Sequence, residues 1–218
     1  MQHLSGYNRN VNATSPTSSR DRNRRGQGER LRDDVLTAAI RMLDELADDQ
    51  ALSLRAVARE IGIAATSVYI HFADRDALVH AALERSHRDL MESLRLAAES
   101  AANPVAELRA RTLVLGDWAY QHPGLYKVLH ESTLNQRADM SFKLVLGQQA
   151  TAVVQRCMDA GLAPVDDAAA VSLDLRAAVH GAVSMRINEP DLPWPPLADQ
   201  VDRFLVKLVG VSPEALGL

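Results

Sequence analysis

LSLRAVAREIGIAATSVYIHFADRDAL, residues 52–78, is the stretch that decides the fold of this chain. Leu54, Val57, Ala58 and Ile61 fall at i, i+3, i+4 and i+7, one apolar face of a short helix. Ser53 stands just before it, where a hydroxyl can cap free backbone N–H groups, and Gly62 follows as a terminating glycine. A second short helix is expected from Ala65 to Ile70, and Asp74 reads as the N-cap of a long helix from Arg75 to near Ser100. Two short helices that cross steeply need a small residue at the crossing, a glycine able to take positive φ in the turn, and apolar inner faces. Ala58, Gly62, and the set Ile61, Ile63 and Val68 meet those needs in turn. Ala58, Gly62 and Val68 stand four and then six residues apart, as a helix–turn–helix requires.

Upstream, Val35, Leu36, Ala39, Ile40, Leu43, Leu46 and Ala47 recur at three- and four-residue steps, so a helix is expected from Leu31. Residues 1–28 are Asn, Ser, Thr, Gly and Arg with few apolar side chains, too few to offset the entropy of ordering; a disordered arm is expected there. Downstream, Asn103–Pro104 opens a helix to about His122, and Pro123–Gly124 interrupts the chain before a short helix, Leu125 to Glu131. Further helices are expected from Asp139 to Ala160, from Pro164–Asp166 to Asn188, and from Leu197 to Val209; the four prolines between Asn188 and Pro196 demand a loop. No alternating run is long enough for a core strand. The expectation is an all-α chain of nine helices.

The 218 residues carry a net charge of −4 that is unevenly spread. Residues 1–30 hold six arginines against two acids, whereas residues 31–95 and 96–218 are each net −4. Bulk charge therefore does not make this a nucleic-acid binder; such an activity would need a local surface. Cys157 is the only cysteine, which excludes a disulfide scaffold and a cysteine-based metal site. No apolar run is long enough to span a bilayer, and the polar N-terminus lacks the apolar core of a signal peptide, so a cytoplasmic protein without membrane attachment is expected. His80 and His87, and His122 and His130, lie seven and eight apart, but no HExxH, glycine-rich phosphate loop, GxSxG elbow or CxxC occurs. Catalysis, metal and cofactor are not expected.

Tyr69, His71 and Phe72, followed by Arg75 and Leu78, make the helix–turn–helix specific: the stretch Leu31–Leu83 resembles the DNA-binding domain of the TetR/AcrR family. The family usually caps its recognition helix with serine or threonine, where this chain has Ala64, and usually has lysine where Arg75 stands. A lost cap costs about 1 kcal/mol, which Thr66 or the packing of Tyr69 is expected to offset. The resemblance implies a disordered arm (residues 1–28), a three-helix DNA-binding domain (29–75) and a C-terminal helical domain (76–218) for effector binding and dimerisation. Segments HPGLYKVL (122–129) and LRAAVHGAVSM (175–185), with the pair His180–Gly181, are similar to a subgroup with a histidine–glycine motif in its C-terminal domain.

On this reading Thr66, Ser67 and Tyr69 enter the major groove of a double-stranded operator, and Ser53 and Arg75, at helix N-termini, hold phosphates. His71 donates to a phosphate or packs beside Phe72. Arg22, Arg24 and Arg25 form an arm for phosphate or minor groove, or only a solubilising tail. Trp118, Tyr126, Met158, His180 and Met185 are candidates to line a cavity for a largely apolar small molecule, each with ordinary core packing as the alternative. The expected function is a ligand-responsive regulator, most simply a repressor, acting as a homodimer on a near-palindromic operator. A sequence-tolerant structural DNA-binding protein without an effector is the alternative, and a C-terminal half without a cavity would favour it.

Overall fold

The computed structural model describes residues 25–218, with the side chains of residues 25–27 and 137 left aside. Helix α1 (Arg25–Leu46) begins six residues before the expected start, so Arg25–Gly28 are helical where the composition suggests disorder. Val35, Leu36, Ala39 and Leu43 are buried as the periodicity requires. Leu46 is exposed instead, and Ala47 leaves the helix in the left-handed region at φ 51°. A 3-10 turn (Asp49–Ala51) leads to α2 (Leu54–Glu60), where Ser53 Oγ accepts the Ala56 N–H at 3.1 Å. Gly62, at φ 70°, makes the turn into α3 (Ala65–Tyr69).

Ala64 makes no side-chain cap bond, and neither Thr66 nor Tyr69 replaces it: both are exposed. The turn is held by backbone, with Ile63 N–H donating to Ala58 O at 2.9 Å, and by Val68, which is fully buried. Helix α4 (Arg75–Glu99) starts on the Asp74 carboxylate, which accepts the Ala77 N–H at 2.8 Å.

Helices α5 (Pro104–Gln121) and α6 (Pro123–Glu131) follow, then a four-residue helix α7 (Leu134–Arg137) that periodicity is too short to reveal. The helix expected from Asp139 starts later: Asp139 Oδ1 accepts the Ser141 N–H, a 3-10 turn covers Ser141–Lys143, and α8 runs Leu144–Asp159. Helix α9 (Ala168–Asn188) is capped by Asp167 rather than opened at Pro164. Helix α10 (Leu197–Phe204) widens into a π turn (Leu205–Val209), and a short α11 (Pro213–Leu216) closes the chain. The nine expected helices are thus present, joined by two of four residues, and there is no strand among the described residues.

Two apolar cores form. The first joins α1, α2, α3 and the opening of α4 to Leu125, Val128 and Leu129 of α6. The second packs α5, α8, α9 and α10, where Arg109 reaches the buried Asp202 through Nε at 2.5 Å and a second nitrogen at 3.0 Å. Trp118 packs against both. Helix α6 meets α1 closely, because a Cβ on Gly124 would lie 1.9 Å from the Asp44 carbonyl oxygen.

Candidate functional site

Two features of this frame carry chemistry: the outward side of α2–α3, and a cavity in the second half. With Val68 turned inward, a helix of one and a half turns has to turn Thr66, Tyr69 and Ile70 outward. Tyr69 is 51% exposed and Ile70 79%. Ser67 is half-buried. The Ser53 hydroxyl, exposed while accepting from Ala56, keeps its O–H free to donate.

Phe72 is buried under the Arg32 guanidinium, 5.3 Å from its ring, and half-buried His71 lies against α1 at Gly28. Arg75 is tied within the fold: it donates to Asp76 Oδ1 at 3.0 and 2.6 Å and to Gln50 Oε1 at 2.6 Å. A phosphate would have to displace or share those bonds. Arg22 and Arg24 lie outside the described residues, and Arg25 opens α1. Sequence reasoning passed over Arg55 and Arg59, exposed on α2 without a partner among the described residues. Their i, i+4 spacing on the polar face was the available signal.

The cavity, of about 330 Å³, lies between α5, α6, α8 and α9 and reaches Leu94 near the end of α4. Its wall is mostly aliphatic: Leu108 and Leu115 of α5, Leu146 and Ala150 of α8, Leu175 and Val179 of α9. A polar cluster interrupts it. The Tyr126 hydroxyl and His180 Nδ1 share a hydrogen bond of 2.7 Å, and the His130 ring lies 4.5 Å from the Tyr126 ring and 5.3 Å from that of His180. Burial pushes the His130 imidazole down to about 3, with Lys143, His180 and Arg176 adding to the shift, so the ring is neutral at pH 7. Burial likewise raises the Tyr126 phenol and keeps it protonated.

Of the five cavity candidates, Tyr126 and His180 line this space and meet; Trp118, Met158 and Met185 do not line it. Trp118 sits between the two cores with its ring 5.5 Å from His122. Met158 is buried, but it lies two turns of α8 beyond Ala150, roughly 12 Å along the axis at about 1.5 Å per residue. Met185 is five residues after His180, hence on another side of α9, and is 47% exposed. His130, Arg111 and Arg176 were not among the candidates. His130 could have been found, since it shares the i, i+4 face of α6 with Tyr126.

Helix α6 connects the two features. It carries Tyr126 and His130, while Asp44 of α1 holds its first turn: Asp44 Oδ1 accepts the N–H groups of Gly124 at 2.9 Å and Leu125 at 3.1 Å. Asp44 Oδ2 lies 3.1 Å from His122 Nδ1. At the far end, the Ser132 hydroxyl donates to the buried Asp49 at 2.5 Å.

Residues 36–82 match the family model described as bacterial regulatory proteins, tetR family, and residues 108–209 match that of the tetracyclin repressor-like C-terminal domain. A protein of unknown function from Rhodococcus sp. RHA1 is 26% identical, with a TM-score of 0.68, covering 82% of this chain and 95% of its own. SmeT, the repressor of the Stenotrophomonas maltophilia multidrug efflux pump SmeDEF, is 22% identical at a TM-score of 0.65 over 82% of this chain and 90% of its own. The regulator FadR of Bacillus subtilis, solved with stearoyl-CoA, has the same fold at 13% identity, a TM-score of 0.68, and coverage of 81% and 97%.

Proposed function

The chain belongs to the TetR family of bacterial transcriptional regulators, and we propose that it is a repressor that binds a near-palindromic operator as a homodimer and responds to a small molecule in its C-terminal half. The observation that carries this reading is the exposed α3, whose Thr66 and Tyr69 point outward from a core that buries Val68 completely. Thr66, Ser67 and Tyr69 read the major groove, and Ser53 donates to a phosphate at its edge. Arg75 exchanges its bond to Gln50 for a phosphate oxygen, and His71 lies at the border of the contact. Arg55 and Arg59 add charge beside it, and Arg22, Arg24 and Arg25 add more for phosphate contact.

One such helix reads too few bases to define a genomic site, so two copies act together, about one helical turn apart. Helices α9 and α10 supply the contact. Ala170, Leu173, Ala177, Gly181 and Met185 form an outer stripe on α9, and nothing lies within 4 Å of a Cβ built on Gly181, leaving room for a partner helix. No helix among the described residues is long and apolar enough to cross a membrane, and the protein works in the cytoplasm, where its operator is.

The cavity supports the ligand-responsive reading over a shape-reading protein without an effector. A molecule there touches Leu94 of α4 and Tyr126 and His130 of α6, and α6 is fastened to α1 through Asp44. A ligand releases DNA by binding the conformer with misplaced reading heads more tightly, by about 3 kcal/mol for a roughly hundredfold effect. The test is to select bound fragments from genomic DNA and measure affinity by fluorescence anisotropy. Tyr69→Ala should weaken specific binding at least about tenfold with an unchanged circular dichroism spectrum. Equal affinity of the two proteins would end this reading of α3.

A further inference from the structure

The chemistry of the cavity narrows what it can hold. No Asp or Glu lines it, while two arginines do, so nothing in its wall would compensate a buried cationic ligand. The two arginines are not equivalent. Arg111 is already engaged: it donates to Gln149 and to Leu94 O, and Glu107 lies 3.8 Å away. Arg176 has no hydrogen-bond or ion-pair partner among the described residues. Its guanidinium lies across α8 at Gly147, where a Cβ would come within 2.7 Å of it; the glycine therefore lets this cation lie at the edge of the cavity between α8 and α9.

Farther in, His130 has no hydrogen-bond partner among the described residues, and His180 uses only Nδ1, on Tyr126. Polar groups away from solvent ordinarily find partners, so the neutral His130 ring offers an unused N–H donor beside an otherwise aliphatic wall.

We infer that the cavity takes an aliphatic carboxylate, with its hydrocarbon body against the leucines and its carboxylate between Arg176 and the His130 ring. The inference rests on the reading of this cavity as the effector site and specifies what that effector is. Arg176 supplies the opposite charge and a charge-assisted hydrogen bond, and His130 donates its ring N–H. The leucines bind the body without selecting its shape, so discrimination resides in the head group.

The test compares three probes with one ten-carbon chain, the ions below their micellar concentrations and the alcohol below its solubility limit: decanoate, decanol and decyltrimethylammonium. Calorimetry measures affinity, and the ring resonances of His130 and His180, assigned with His130→Gln and His180→Gln variants, report location. Decanoate should bind best and shift both signals. Arg176→Gln, a change at an exposed position, should weaken decanoate about tenfold and leave decanol unchanged. Decanol or the ammonium binding as tightly as decanoate, with the same shifts, overturns the carboxylate assignment while the cavity stands as a ligand site. Decanoate affinity unchanged by Arg176→Gln overturns it as well. Failure of all three probes to move either signal overturns both the assignment and the reading of the cavity.

Discussion

Asp44→Ala tests how the two halves are joined. The carboxylate gives one oxygen to two amides at the start of α6, Gly124 and Leu125, from a residue on α1. Removing an N-terminal cap acceptor costs about 1 kcal/mol. Loss of a negative charge at a helix N-terminus adds about 0.5 kcal/mol. The second amide, left without its partner in a half-buried site, adds a similar amount. The contact to His122 Nδ1 is discounted because that ring is 40% exposed. The sum is about 2 kcal/mol, which for a chain of this length lowers Tm by roughly 4–8 °C. Asp44→Asn keeps an acceptor oxygen and should lose about half as much. Glu45→Ala removes a neighbouring exposed carboxylate paired with Arg41 on the surface, and should stay within about 0.5 kcal/mol of the parent. Urea denaturation of the four proteins measures this directly. An Asp44→Ala protein no less stable than Glu45→Ala would refute the argument that this carboxylate fastens α6 to α1.

Gly124→Ala should be worse than Asp44→Ala, losing about 3 kcal/mol in the same assay, because its methyl group would meet α1 backbone at 1.9 Å and force the helices apart. Lowering the pH should destabilise the protein from about pH 6.5 downward. His130 binds a proton in the unfolded chain below its ordinary value but resists it in the fold down to about 3, so at pH 5 the loss is about 2 kcal/mol. His130→Gln should flatten that part of a plot of Tm against pH. Ala47→Gly should stabilise by about 0.5 kcal/mol, since relief of a left-handed alanine at φ 51° slightly exceeds the added entropy of the unfolded glycine; a drop in Tm would show that the strain is absent.

The helix–turn–helix was legible residue by residue because its signals are local. Ser53 and Asp74 cap the helices they immediately precede, Gly62 turns at positive φ, and Ala58 and Val68 are buried on the facing sides of α2 and α3. The same local logic found the larger helices of the second half, and it failed where elements span barely one turn, at α7 and α11. It could not show that Gln50, twenty-five residues earlier, accepts a hydrogen bond from the Arg75 guanidinium, because that contact joins two separate elements.

The sequence by itself determined an all-helical chain, the position of α3 and the face it presents, since spacing of three and four residues fixes what a helix buries. Only the tertiary structure decided the cavity. Tyr126 meets His180 across 54 residues and Asp44 caps α6 across 80, and no local pattern encodes which helices become neighbours. That is settled by packing many apolar faces at once, which is why Met158 and Met185, plausible by residue type, lie outside the cavity while His130 and Arg176 line it.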